Sequence, residues 1–157
     1  MFLPALTSAL ALSTRAAPDP YAKVHNKCSF PVWVSSVQNT AGPTQMLLSG
    51  NTFSEVQRNP ENGTGVSIQV TTTVDGAHTK APILIMGYSW DNRTGLYYSL
   101  STVNGFSFWG QKLRIHNTEG KAVQEIVWVG EPKGEYTAVY LKGEADITLE
   151  LCDDFAE

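Results

Sequence analysis

Asp146-Ile-Thr-Leu-Glu-Leu151 alternates without a break, with Ile147, Leu149 and Leu151 on one face and Thr148, Glu150 and Cys152 on the other. Successive side chains of a strand point to opposite sides, so a period of two reads as a strand with one apolar and one polar face. Working outward, the same signal recurs. Pro31-Val-Trp-Val-Ser35 and Val66-Ser-Ile-Gln-Val70-Thr-Thr-Thr73 carry β-branched and aromatic residues in partial alternation. Further strands are expected at Ala22–Asn26, Gln45–Leu48, Phe53–Arg58, Ile83–Asp91, Leu96–Ser99, Lys112–Asn117, Val123–Val129 and Tyr136–Leu141. Turn chemistry separates them: Ala41-Gly-Pro43, Ser49-Gly-Asn51, Asn59-Pro-Glu-Asn-Gly63, Asp75-Gly76, Glu119-Gly120, Gly130-Glu-Pro132 and Lys142-Gly143. No stretch has the period of a long amphipathic helix. About ten short strands at this spacing predict an all-β sandwich or flattened barrel.

The chain is 157 residues long, 42% hydrophobic and 17% charged, with two cysteines. That is the size of one domain with one core, which excludes a multidomain enzyme, a disordered chain and a disulfide-dense miniprotein. The formal net charge is −4 and no basic stripe is present. Phosphate backbones need clustered Lys and Arg, so a nucleic-acid partner is not expected.

Phe2 to Leu12 is apolar and rich in Leu and Ala. A membrane-spanning helix needs roughly 20 such residues, whereas the core of a secretory signal peptide is shorter. Thr14 and Ala16 fit a small-x-small cleavage site, so residues 1–16 read as a signal peptide. Ala9 and Ala11 offer an earlier cut. Residues 17–22 are expected to form a mobile leader, and 23–157 the domain. No later run suggests a membrane span. Asn62-Gly-Thr64 and Asn92-Arg-Thr94 are glycosylation sequons in turn-like surroundings. Cys28 and Cys152 lie near the two ends of the mature chain. They are either two separate buried thiols or, in an oxidising compartment, partners closing a loop of about 125 residues, contributing up to about 5 kcal/mol.

No motif for nucleotide, cofactor or metal chemistry is present, and no cofactor or metal is expected. His25, His78 and His116 fall in separate segments and read as strand or turn residues rather than ligands. Glycoside hydrolysis needs two carboxylates facing one cleft, for which Glu55, Asp75 and Asp91 are the candidates. Glu150, Asp153, Asp154 and Glu157 make an acidic C-terminus that reads as solubilising. Trp90, Tyr97, Tyr98, Phe106, Phe108 and Trp109 crowd into twenty residues, among Asn92, Arg93 and Asn104. Such rings either fill the core or stack on sugars or a partner. Trp90, Tyr97, Tyr98 and Trp109 are the candidate binding residues.

Val24-His-Asn-Lys-Cys-Ser-Phe-Pro-Val-Trp-Val-Ser-Ser36 resembles the opening strands of thaumatin-like proteins. Ser49-Gly-Asn-Thr-Phe53 is similar to the family's next hairpin, and Tyr97-Tyr-Ser-Leu-Ser-Thr-Val-Asn-Gly-Phe106 to its Y-D-x-S-x-V-D-G-F segment. Thr71-Thr-Thr-Val-Asp-Gly76 and the run from Ala145 to Cys152 resemble the small fungal branch, the CetA-like family that includes the Blastomyces yeast-phase-specific protein. The resemblance covers about residues 22 to 153. It implies a secreted thaumatin-like β-sandwich, pairing of Cys28 with Cys152, and absence of the larger family's disulfide-rich second domain. It also implies a departure. The acidic positions of the family's cleft, linked there to β-1,3-glucan, fall at Ser99, at Asn104 and near Gly87. None of these side chains supplies a proton donor, so the two-carboxylate mechanism is not expected.

The reading is therefore a secreted, non-enzymatic, monomeric protein acting at the cell wall or a host surface by binding carbohydrate or protein. Cell-wall glucan and a host surface protein are the expected partners. A weak β-1,3-glucan hydrolase and a virulence or immune-modulating factor with a protein partner are the alternatives.

Overall fold

The computed structural model describes residues 19–154. The proposed signal peptide and Glu157 lie outside these residues. Eleven strands form two sheets, with no α-helix among the described residues. Strands β1 (Tyr21–Asn26), β4 (Thr52–Val56), β8 (Lys112–His116), β9 (Ile126–Val129) and β11 (Ile147–Leu151) make a five-stranded sheet in the order β4-β1-β11-β8-β9. Strands β2 (Val32–Val37), β3 (Gln45–Leu47), β5 (Val66–Thr71), β6 (Ile83–Asp91), β7 (Gly95–Val103) and β10 (Thr137–Tyr140) make a six-stranded sheet in the order β10-β7-β6-β5-β2-β3.

Alternation decides which side chains meet between the sheets. Val24, Leu113, Ile115 and Leu149 point inward from the first sheet; Val34, Ile68, Met86 and Leu100 point inward from the second. These are β-branched or long aliphatic chains that pack well on a pleated surface. The expected β-sandwich is what forms, and every expected strand is present. Several boundaries move: the strand expected from Val123 begins at Ile126, the one expected at Phe53–Arg58 spans Thr52–Val56, and β5 ends at Thr71. The strand expected at Leu96–Ser99 runs on to Val103, because β6 offers it a continuous ladder from Asp91↔Gly95 to Ile83↔Val103. The expected leader also shortens: Tyr21 and Ala22 belong to β1, held by pairing with β4 and β11 and by Tyr21 N–H donating to Asp146 Oδ1 at 2.8 Å.

The first and last strands lie side by side in parallel, Ala22 opposite Ile147 and Asn26 opposite Leu151. Both therefore end at the same level, and the residues just beyond them, Cys28 and Cys152, are joined in a disulfide with a Cα–Cα distance of 5.0 Å.

The polar face of β11 is not a solvated one. β11 is the central strand of its sheet, and Thr148 and Glu150 are buried beneath the long side chains of both neighbours. Lys23 Nζ reaches Asp146 at 3.0 Å. His25 Nδ1 and His116 Nε2 take one oxygen each of Glu150, at 2.7 and 3.0 Å. Lys27 Nζ and Arg114 Nε each meet Asp153 at 2.7 Å. The reading of Glu150 and Asp153 as solubilising charges is thus corrected: both are buried and paired, and of these acids among the described residues only Asp154 is exposed.

Candidate binding face of the six-stranded sheet

Turning the alternation outward gives the other face of the six-stranded sheet. Its cross-strand rows read Ser35, Gln69, Ile85 and Ser101, then Val37, Ser67, Gly87, Ser99 and Thr137, then Ser89, Tyr97 and Val139. Trp33 stands opposite Thr71 at the β2 side. Six strands about 4.8 Å apart give a surface on the order of 24 Å across. It is lined chiefly by hydroxyls and amides, with Trp33 toward one edge and Tyr97 toward the other. Gly87 makes the middle low: a Cβ there would sit 3.2 Å from Ser99 Oγ. Beside it a depression of about 240 Å³ runs between Tyr97 and Thr137.

A deeper groove of about 310 Å³ opens at the β2 side, lined by Trp33, Ser35, Met46, Gln69, Thr71, Val74, Asp75 and His78. Its wall is a one-turn 3-10 helix, Gly76–His78. Gly76 packs so closely on Thr71 that a Cβ would lie 2.6 Å from the threonine Cβ, and this contact holds Asp75 and His78 over the sheet.

The two outer faces differ in how their polar groups are used. On the five-stranded sheet, acids and bases are locked to one another. Burial disfavours the charge on Asp153, yet hydrogen bonds from Lys27 and Arg114 outweigh it and hold the carboxyl below the usual range. On the six-stranded sheet, Ser35, Gln69, Asp75 and His78 make no side-chain hydrogen bond or ion pair among the described residues. Their capacity is unspent.

The carboxylates weighed for hydrolysis do not come together. Glu55 accepts hydrogen bonds from Tyr88 Oη at 2.8 Å and Ser36 Oγ at 3.0 Å, tying β4 to the other sheet. Burial pushes the Tyr88 phenol well above its ordinary value, so it stays the donor. Asp75 lines the Trp33 groove. Asp91 pairs with Arg93 at 3.3 Å across a hairpin turn, and that hydrogen bond lowers its pKa. No group of three or more His, Cys, Asp or Glu among the described residues is arranged to hold a metal ion.

The aromatic candidates separate into two kinds. Trp90 and Tyr98 face inward and are buried; Tyr98 donates to the Gln124 carbonyl, and burial raises its phenol to about 12. These two rings belong to the core, whereas Tyr97 and Trp109 are 40% and 63% exposed. Trp109 stacks edge-on against Phe106 in a loop, away from the rows of the sheet face. Sequons Asn62 and Asn92 both sit on exposed turns. Of the positions that the resemblance points to, Ser99 stands opposite Gly87 on the outer face, while Asn104 occupies a left-handed turn at φ 60°. Trp33 and Ser35 were missed as site residues: they sit among apolar neighbours in Pro31-Val-Trp-Val-Ser35, and nothing local tells which face is open.

Comparison with known proteins agrees with this architecture. The family model for the Blastomyces yeast-phase-specific protein matches residues 8–153. The chain belongs to this thaumatin-like fungal family. The relative named antigenic thaumatin-like protein, from Arthroderma benhamiae, is 27% identical over 93% of this chain and 82% of its own length. The crystal structure of the protein elicitor MoHrip2 from Magnaporthe oryzae superposes with a TM-score of 0.66 at 25% identity, covering 85% of this chain and 98% of that one. The fungal thaumatin-like sandwich is thus present with one disulfide, Cys28–Cys152.

Proposed function

We propose that this member of the family is an extracellular, non-catalytic binding protein whose outer six-stranded face takes a neutral cell-wall polysaccharide. The observation that carries the reading is the contrast between the two faces: one pairs its acids with its bases, the other leaves hydroxyls, an amide and exposed aromatic rings without protein partners. Sugars present the complementary surface, apolar C–H faces rimmed by hydroxyls. The buried disulfide and the exposed sequons support an oxidising, secretory route, with residues 1–16 as signal peptide and glycans at Asn62 and Asn92. Binding without cleavage fits the separated carboxylates, since hydrolysis needs a positioned pair.

A second reading, a host-protein partner, is favoured by the names of the relatives, one antigenic and one an elicitor. One experiment separates these. Secreted protein is incubated with insoluble β-1,3-glucan and with chitin, and both retention and released reducing ends are measured. Retention without release is expected, and Gly87→Leu, which fills the low centre of the face, should abolish most retention while a cooperative unfolding transition shows that the fold is kept. Released sugar that disappears in Asp75→Asn or Asp91→Asn would overturn the non-catalytic reading. No retention on either polymer would leave the protein partner as the better account.

A further inference from the structure

We infer that the Trp33 groove is a subsite for an N-acetylated amino sugar; this rests on the reading of the sheet face as polysaccharide-binding and specifies which sugar it prefers. The first observation is Ser35. It is only 6% exposed, its hydroxyl has no protein partner among the described residues, and it lines the groove. The hydroxyl is open to the groove, where it can meet a polar group arriving from outside.

Charge narrows the ligand. Asp75 is the one carboxylate lining the groove, His78 is the other titratable group, and no Lys or Arg contributes. Phosphate, sulfate and uronate ligands would meet a like charge without a cationic clamp, so an anionic ligand is disfavoured.

Shape and polarity narrow it further. The Trp33 indole offers a plate for the C–H face of a pyranose. That accounts for all the apolar surface of a plain hexose, yet the groove has a second apolar element. Met46 and Val74 are 54% and 62% exposed on its lining. An acetamido substituent uses both remaining features at once. Its N–H needs an acceptor, which the Asp75 carboxylate supplies. Its carbonyl needs a donor, which the Gln69 amide or Ser35 hydroxyl supplies. Its methyl needs an apolar contact, which Met46 and Val74 supply. A plain glucose unit would leave Met46 and Val74 facing a hydroxyl, and a free amino sugar would satisfy Asp75 but bring no methyl.

The test is calorimetric titration of the secreted protein with three tetrasaccharides: β-1,4-linked N-acetylglucosamine, β-1,4-linked glucosamine and β-1,3-linked glucose. The acetylated ligand should bind at least tenfold more tightly than either of the others. Asp75→Ala, at an exposed turn position where folding is not threatened, should weaken the acetylated ligand about tenfold and leave the glucose ligand nearly unchanged. Met46→Ser should erode the same preference. Equal or tighter binding of the glucose or glucosamine ligand overturns the acetamido subsite while leaving a polysaccharide face. An acetylated ligand that binds parent and Asp75→Ala alike also overturns it. Binding of none of the three overturns the subsite and the polysaccharide reading together.

Discussion

Asp153 gathers Lys27 and Arg114 around a carboxylate whose side chain is 8% exposed. Its pKa lies below the usual value in the folded protein, so the ion pairs stabilise the fold above the unfolded pKa of about 4 and are lost as pH falls through the folded value. Lys27, raised chiefly by its hydrogen bond to Asp153, contributes below its unfolded pKa of about 10.4 and ceases to do so as pH rises through the folded value. Asp153→Asn should therefore cost about 2 kcal/mol across neutral pH, with the deficit shrinking below pH of about 4. Urea unfolding of parent and variant from pH 2 to 8 measures it; a deficit that is constant down to pH 2 would show that the charge plays no part. None of this is visible along the chain, where Asp153 reads as one of several terminal acids.

At the scale of elements, β11 carries the largest difference between pattern and structure. Its alternation identified a strand, and the strand is there, but its polar face became a second interior once β1 and β8 closed over it. Thr148 Oγ1 is left buried with no partner among the described residues. Thr148→Val keeps the β-branched shape and removes the stranded hydroxyl, so it should raise stability by about 1 kcal/mol, read from the shift in the denaturation midpoint. A loss of stability would mean that the hydroxyl is satisfied by water. Strand positions were legible because local alternation and turn residues report them; even the nine residues of β6 stand where Ile83–Asp91 predicted. The candidate site was less so. Tyr97 was named, but Trp33, Ser35, Gln69 and His78 come from separate segments that only the pairing of β2 with β5 and the short 3-10 turn bring together. Of the four candidate rings, Trp90 and Tyr98 are buried because alternation puts both on the inner side of the sheet, where a ring is worth more against the core than in water.

For the whole molecule, the parallel contact of β1 with β11 joins the two ends of the fold, and the disulfide fastens the same junction. A bridge across 124 residues restricts the unfolded chain strongly, by up to about 5 kcal/mol. Replacing both cysteines by serine should lower the melting temperature by roughly ten degrees or more, and intact mass should rise by two hydrogens on reduction. Equal melting of variant and parent would count against the bridge as a main source of stability. The sequence by itself determined the class of fold, the order of the strands and, through its resemblance to thaumatin-like proteins, the disulfide. These follow from local periodicity, turn chemistry and matched motifs. Only the tertiary structure decided which sheet face is closed and which is open. That depends on which strands become neighbours, because a polar side chain is spent or free according to the partner that folding places beside it.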